Sequence, residues 1–516
     1  MIAAEALLRS LELSTYFVVP GRFSIPLNIS LKRIGAQTIM IPDERCAGHA
    51  ADGYARASGK PAGLIVSAGP GALNAALPIA TAFRDYIPMI AIVGDVPTYS
   101  KGSLAVEEID VKGVFKSICK DVVEIRSLRD LALAKRACDE ALKPPKKPIL
   151  IDYPLDVQES HAEIIEERIE EEVLSEEIEG VVQEIADMLK ASKRPLILVG
   201  NGCLDAHYLV AEFSLRYEIP MSYTLMAWCR VEEKPRTSLG FCGIRGFKCA
   251  NEALRESDFI LALGARLSET TIAYGLSENA TVIQVLIEDN FHPKAHVKVK
   301  ASCEVFIKKL VESYRGEKKG FWAKVYGEPT YESKAFSYMK RILDLSQGAI
   351  LCLDMGDSSM WALEAMKHGW KGLTLYPGGL ATMGFSISAS IGAKIASPDR
   401  NVVAISGDGG AIMNLPALHA MSRLNLPIAI FIFNNKAYGM VRGKQLRDYG
   451  VTSDVDVNFE DFRDLASSAK IDYIKVVDEQ DIEAALKASR HKPVIAEIDV
   501  DVDDRPPTPK KLFPSS

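Results

Sequence analysis

The sequence is short of the features that would place it in a membrane, on nucleic acid or outside the cell. No uncharged apolar run reaches the roughly 18 residues that a membrane span needs. Positive charge is not in excess: 61 Lys and Arg stand against 68 Asp and Glu, a net charge of −7. That leaves no basic field for nucleic acid or an anionic membrane. The nine cysteines are scattered singly with no CxxC pair, which fits neither a disulfide framework nor a zinc site and suits a reducing cytoplasm. The opening MIAAEALLRSLELSTYFVVPG lacks the cationic start and apolar core of a signal peptide, so a cytoplasmic location is expected. A G-x-G-x-x-G dinucleotide fingerprint is also missing; SAGPG (67–71) follows a strand-like run but lacks the spacing. The eight histidines include no adjacent pair, and His49 reads as packing rather than catalysis.

What is present is ordinary globular material, 48% hydrophobic and 25% charged over 516 residues, enough for about three domains of roughly 150 residues. Short apolar runs rich in β-branched residues alternate with longer helical patterns. QTIMIP (37–42), GLIVS (63–67), MIAIVG (89–94) and PILIDY (148–153) form one group. PLILVG (195–200), FILALG (259–264) and TVIQVL (281–286) form a second. AILCLD (349–354), NVVAIS (401–406), PIAIFIF (427–433) and PVIAEID (493–499) form a third. Runs apolar on both faces and separated by helices indicate α/β architecture with three doubly wound parallel-sheet domains. The boundaries fall at 1–160, 181–320 and 332–516. Between the first two, residues 159–180 carry ten acidic side chains and one basic one, read as a solvated helix and connector. A second seam lies at 315–333, and the Pro-rich tail 503–516 reads as a tether, with a lid over a site as the alternative.

The last third carries the most specific chemistry. NVVAIS runs into GDGGAIMN (407–414), a helical stretch follows, and PIAIFIF ends in NNKAYGM (434–440). A right-handed strand–helix–strand crossover makes the two strands parallel. Asp408 and Asn435 then stand at carboxyl ends of strands, where α/β sheets bind ligands. Gly407, Gly409 and Gly410 let backbone N–H groups approach phosphate oxygens. A carboxylate with an amide oxygen suits a hard cation such as Mg²⁺.

GDG followed by NN resembles the binding motif of the thiamine-diphosphate (ThDP) enzymes. The resemblance extends over nearly the whole chain. IPDERCAGHAADGYARASGKP (41–61), SAGPGALNAALPIATAFRDYIPMIAIVGDVPT (67–98), LGARLSET (263–270) and GGLATMG (378–384) are similar to the acetolactate synthase large-subunit branch. The resemblance implies pyrimidine-binding, central and diphosphate-binding domains, with Mg²⁺ held by Asp408, Asn435 and the main-chain carbonyl of Ala437. Glu44 follows a strand beside apolar residues, which would partly desolvate its carboxylate; alone it would read as a helix-start residue. Matched to the family, it hydrogen-bonds the aminopyrimidine ring and activates the thiazolium carbon. Met383 matches the apolar residue that props the bent cofactor, and Asn74, Ser358, Ser359 and Met440 are likewise placed at the cofactor. Asp357 stands where these synthases carry a neutral amide. Because the family sets its Glu across a subunit interface from the metal, a homodimer or homotetramer is implied.

Departures cluster at the substrate end. Arg442, Gly443 and Lys444 stand where the synthases place a pocket-shaping Trp, Thr270 replaces an Arg although Arg266 remains, and Leu155 replaces a Lys. Val106 and Glu107 replace a Phe-Gln pair, and Val66 stands where benzoylformate decarboxylases carry a His. Arg22, beside Phe23, occupies a position that is small in the family and could hold a substrate carboxylate through two parallel hydrogen bonds; a surface or salt-bridged Arg is the alternative. Arg22, Phe23, Glu107 and Lys444 are therefore the candidate substrate residues. FCGIRG (241–246) and GAR (264–266) are similar to part of an FAD cradle, but Ser302 stands where an adenosine-side Asp is expected, so FAD is the less expected outcome. The resemblance implies decarboxylation of a 2-oxo acid with ligation to a second carbonyl. A non-ligating decarboxylase and an inactive cofactor-binding paralogue stay open as alternatives.

Overall fold

A computed structural model describes residues 1–163, 178–457 and 461–507. Residues 164–177 of the acidic stretch and 508–516 of the tail lie outside the described residues. No helix among the described residues is long and apolar enough to cross a membrane.

Among the described residues, eighteen strands form three six-stranded sheets. The first contains β1 (Thr15–Val18), β2 (Gln37–Met40), β3 (Gly63–Ser67), β4 (Ile90–Asp95), β5 (Asp121–Glu124) and β6 (Ile149–Pro154), in the order β2-β1-β3-β4-β6-β5. The second contains β7 (Pro195–Val199), β8 (Met221–Tyr223), β9 (Ser238–Phe241), β10 (Phe259–Leu263), β11 (Thr281–Leu286) and β12 (Val297–Lys300), ordered β12-β11-β10-β7-β8-β9. The third contains β13 (Ile350–Leu353), β14 (Leu373–Leu375), β15 (Val402–Gly407), β16 (Ala429–Asn434), β17 (Asp472–Val476) and β18 (Val494–Asp499), ordered β14-β13-β15-β16-β18-β17. Central strands such as β4, β10 and β16 pair in parallel, in register Leu64↔Ala91, Ile260↔Val282 and Ile405↔Phe431. They are buried along almost their whole length because helices cover both faces. The edge strands β2, β12 and β17 alternate or expose their side chains, as half-covered strands do.

The first and third sheets, far apart in sequence, belong to one compact unit, and the second sheet belongs to another. The helices Glu44–Ser58 and Ser386–Ala396 bring the first unit together. Their backbones nearly touch: a Cβ on Gly53 would overlap the Ala389 carbonyl, and one on Gly392 would overlap that of Ala50. Beside this contact lies a buried charge cluster. Arg56 donates to Asp52 (Nε–Oδ1 2.6 Å), to Asp85 (Nη2–Oδ2 2.7 Å) and to the Tyr376 carbonyl (2.9 Å). Asp85 also accepts from Gly379 N (2.7 Å), so one guanidinium ties two helices of the first domain to a loop of the third.

His49 lies on the same packed face, edge-on to Phe385 with ring centroids 5.4 Å apart. Both of its ring nitrogens are buried without a hydrogen-bond partner. Burial, reinforced by Arg45 and Arg56, pushes its pKa down to about 3. The side chain is therefore neutral packing, as the sequence suggested.

Two predictions follow from this contact. Arg56→Met leaves two buried carboxylates uncompensated and should cost about 3–5 kcal/mol in chemical denaturation; an unchanged midpoint would contradict the clamp. His49 is depressed on folding, so its stabilising contribution is complete above its unfolded pKa of about 6.5 and is lost as pH falls toward 3. The stability difference between wild type and His49→Leu should therefore change by about 1.4 kcal/mol per pH unit between about pH 6 and 4, and a pH-independent difference would refute it.

Candidate active site

Strand order reverses between β1 and β3 in the first sheet and between β13 and β15 in the third. The carboxyl ends of such neighbours open a crevice, and ligands of α/β sheets bind there.

At the first reversal, Arg22 and Phe23 follow β1 while Ser67 ends β3 and Ala68 and Gly69 follow it. Phe23 N donates to Ser67 Oγ (3.2 Å), and its ring packs with Ala68 and Val96 and against Ala105 and Leu155. Arg22 is exposed, with its guanidinium carbon 5.4 Å from the Phe23 ring centroid. It has no ion pair among the described residues. Gly69 (φ +56°) carries the turn into the helix Pro70–Asp85, and Glu107 leans on it: a Cβ at Gly69 would lie 2.8 Å from the Glu107 carbonyl oxygen. Glu107 itself has φ +71°, a left-handed conformation that costs a non-glycine residue about 1 kcal/mol or more.

Glu44 is the first residue of its helix, whose N-terminus is capped by Asp43 accepting from Cys46 N (2.8 Å). Its carboxylate is half-buried and held from one side, with Asn74 Nδ2 donating to Oε2 at 3.0 Å. The other oxygen lies over Gly71, 3.2 Å from where a Cβ would stand. Arg22, Phe23, Glu44, Asn74 and Glu107 thus share one sheet edge.

The loop that carries Glu107 is fastened by residues that sequence reading missed. Asp95 ends β4 and Asp152 lies in β6, both almost fully buried. Lys101 pairs with Asp95 and with Asp152 Oδ2 (3.0 Å), and Arg126 reaches the same Oδ2 (3.0 Å). Burial and the neighbouring Asp95 carboxylate push the Asp152 pKa upward. Glu108 then closes the loop by accepting from Gly102 N and Ala105 N. The available signal was a carboxylate in each of two otherwise apolar strands, IVGD and LIDY, since buried acids require partners.

At the second reversal, Asp354 follows β13 and is fully buried. It accepts from Met355 N and Gly384 N (both 2.8 Å) and from the Ser386 and Ser406 hydroxyls (both 3.2 Å). A Cβ on Gly410 would meet this carboxylate at 2.9 Å. Asp354, also missed, thereby joins the loop of Met383 to the glycine turn; its signal was the acid ending the strand in LCLD. Ser359 donates to the Asp354 carbonyl, whereas Ser358 Oγ is buried without a partner and faces Gly407.

Asp408 Oδ1 accepts from Gly409 N (2.8 Å), while Oδ2 is buried without a partner. Burial raises the Asp408 pKa to about 6, opposed by the N–H groups of Gly409, Lys436 and Ala437. Asn434 is engaged elsewhere, donating to the buried Glu497 (2.7 Å). Asn435 Oδ1 accepts from Ala437 N (3.1 Å) across a turn in which Lys436 has φ +59°, and the Ala437 carbonyl accepts from Gly439 N (2.9 Å). No cluster of three His, Cys, Asp or Glu side chains occurs among the described residues. A carboxylate oxygen with no partner, an amide oxygen and a main-chain carbonyl nonetheless fit a hard cation that takes its remaining ligands from phosphate and water.

The remaining candidates are placed as follows. Met383 is half-buried and Met440 exposed. Lys444 pairs with Asp448 on its own helix, Gly439–Tyr449, and Arg442 pairs with Asp503 (2.6 Å). Asp357 faces Arg505, Nε–Oδ2 3.6 Å. In the second sheet the order reverses between β10 and β7, where the two loops meet backbone to backbone with Gly202 N donating to Gly264 O (3.1 Å). Ser302 caps the helix Cys303–Ser313 by accepting from Val305 N (3.2 Å).

Comparison with known proteins identifies the family of the chain. Profiles of the thiamine pyrophosphate enzymes match three times: the N-terminal TPP binding domain over 2–121, the central domain over 182–310 and the C-terminal TPP binding domain over 354–500. The acetolactate synthase large subunit of Parasynechococcus marenigrum is 30% identical, covering 96% of this chain and 86% of its own. The probable acetolactate synthase large subunit of Methanococcus aeolicus is 31% identical, covering 94% and 90%. The acetolactate synthase isozyme 1 large subunit of Escherichia coli is 30% identical, covering 96% and 92%.

Lys101→Met should release the loop that holds Glu107. Hydrogen exchange of the amides of 99–108 should speed by about tenfold or more, as a buried charge left unpaired costs several kcal/mol; unchanged protection would show that the ion cluster does not hold the loop.

Proposed function

The chain belongs to the thiamine pyrophosphate enzymes, in the acetolactate synthase large-subunit branch, and we propose that it decarboxylates a 2-oxo acid and ligates the remaining fragment to a second carbonyl. The observation that carries this reading is Asp408 Oδ2, a buried carboxylate oxygen without a partner at the end of β15, beside a glycine turn and opposite Asn435. Such an oxygen is costly to bury unless a cation completes it.

Thiamine diphosphate, when bound, supplies a nucleophilic thiazolium carbon and an electron sink for the departing CO₂. The protein's part is to bind, orient and move protons. Asp408, Asn435 and the Ala437 carbonyl hold Mg²⁺, and the N–H groups of the 407–410 turn with Ser358 Oγ receive the diphosphate. Glu44 holds a proton between its carboxylate and the pyrimidine ring. Asn74 fixes Oε2 and so leaves Oε1 to the ring, over a Gly71 that has no side chain to intrude. Met383 props the cofactor, with Met440 beside it. Arg22 binds the substrate carboxylate, because it is the exposed cation on the Phe23 edge and lacks an ion-pair partner there. Glu107 stands at the reacting end, and Lys444 at the outer rim is spent mostly on Asp448. The enzyme works as a cytoplasmic homodimer or homotetramer, with Glu44 and the metal site supplied by different subunits. No flavin step belongs to this reading.

The test is a panel of 2-oxo acids with ThDP and Mg²⁺, assaying CO₂ and separating aldehyde from ligated product. One CO₂ per ligated product is expected; aldehyde alone would establish a non-ligating decarboxylase, and no turnover would favour an inactive paralogue. Arg22→Ala should raise KM for the accepted acid about tenfold or more with kcat little changed. An unchanged KM for every accepted acid would remove Arg22 from the substrate site.

A further inference from the structure

We propose that Arg505, on the segment following the last strand, is a positioning residue for cofactor binding: it neutralises Asp357 and so makes the diphosphate crevice acceptable to an anion. The inference rests on the ThDP-binding reading above.

Asp357 opens the helix Asp357–Met366 and is largely buried, its side chain 12% exposed. Its neighbours are the groups assigned to the diphosphate and metal. Ser358 is next in sequence, and a Cβ on Gly439 would collide with Asp357 Oδ2 and approach Asn435 Nδ2 to 2.7 Å. A fixed carboxylate among these groups would repel a polyanionic ligand, and low solvent access would leave that repulsion poorly screened.

The chain supplies a counter-charge from its far end. After β18, Val500 N donates to the Asn434 carbonyl (3.0 Å), so the segment starts beside the Asn435 turn. Asp503 then pairs with Arg442 (2.6 Å), and Asp504 Oδ2 accepts from Ala335 N (3.0 Å). Trp361 Nε1 reaches the Asp504 carbonyl at 3.4 Å. These anchors hold Arg505 against the helix Gly439–Tyr449, where its guanidinium lies on the backbone of Gly443 and faces Asp357 at 3.6 Å. A Cβ at 443 would occupy the space of the guanidinium. Glycine is a poor helix residue, and here its missing side chain is what admits the arginine. The arginine, the carboxylate it faces and the glycine that admits it therefore form one device.

The experiment measures the ThDP dissociation constant at fixed Mg²⁺, by quenching of tryptophan fluorescence, in the full-length protein. Arg505→Gln should raise it roughly tenfold. Gly443→Ala should raise it similarly, although alanine favours the helix. Asp357→Asn should bind as tightly as wild type or more so, and in the Asp357→Asn background Arg505→Gln should have little further effect. An equal loss in both backgrounds would make the segment a purely structural strap and overturn the proposal. So would an unchanged constant in Arg505→Gln, or an Asp357→Asn loss as large as that of Arg505→Gln. Wild-type protein that binds no ThDP would instead overturn the underlying reading, and this inference with it.

Discussion

The buried guanidinium of Arg56 is the tie that holds, within one chain, the helices carrying Glu44 and Asn74 against the loops of the third sheet. Its two carboxylate partners lie on the helices that carry Glu44 and Asn74, and one of them, Asp85, also grips Gly379 N. Gly379 begins the stretch that leads through Met383 to Gly384, and Gly384 N is held in turn by Asp354. Asp354 reaches Ser406 and crowds Gly410, fixing the turn from which Asp408 extends. A chain of short polar contacts therefore runs from the first domain's helices to the proposed metal ligand. The bare contact at Gly53 and Gly392 allows it by letting the two helices approach. Removing a charge from such a chain leaves the others buried and unpaired, which is why its cost would spread beyond one side chain.

The same rule governs the other buried acids. Asp52 and Asp85 share Arg56, Asp95 and Asp152 share Lys101, and Glu497 accepts from Asn434, Phe462 N and Tyr473. Asp408 is held at one oxygen only. The cations of the last domain follow the opposite pattern, for Arg442, Lys444 and Arg505 each face a carboxylate of their own chain. Arg22, in the first domain, is exposed and has no ion pair among the described residues.

Much of this was legible in the residues themselves. Central strands such as β4 and β16 announce themselves because burial on both faces demands unbroken apolar runs. The GDG and NN pairs do so because glycine freedom and strand-end oxygens are local properties. The short β1, β8, β9 and β14 were not read because three or four residues carry too little pattern, and the half-exposed edge strands β5, β12 and β17 because partial covering leaves no unbroken apolar run. Asp354, the Asp95–Lys101–Asp152 cluster and the Arg56 clamp were missed for a different reason. Each is defined by a partner that only folding brings near, and Tyr376 lies 320 residues from Arg56. The sequence shows Asp357 where the related synthases carry a neutral amide, but not that Arg505, 148 residues later, faces it.

Glu44, held by Asn74 and backed by Gly71, is the point on which the proposed chemistry turns. The most direct measurement is the exchange of the thiazolium C2 proton of bound ThDP with deuterium, followed by NMR after acid quench in wild type and Glu44→Gln. Loss of the carboxylate should slow exchange by about a hundredfold or more while the cofactor stays bound. Equal exchange in the two proteins, both loaded with cofactor, would show that Glu44 does not activate it.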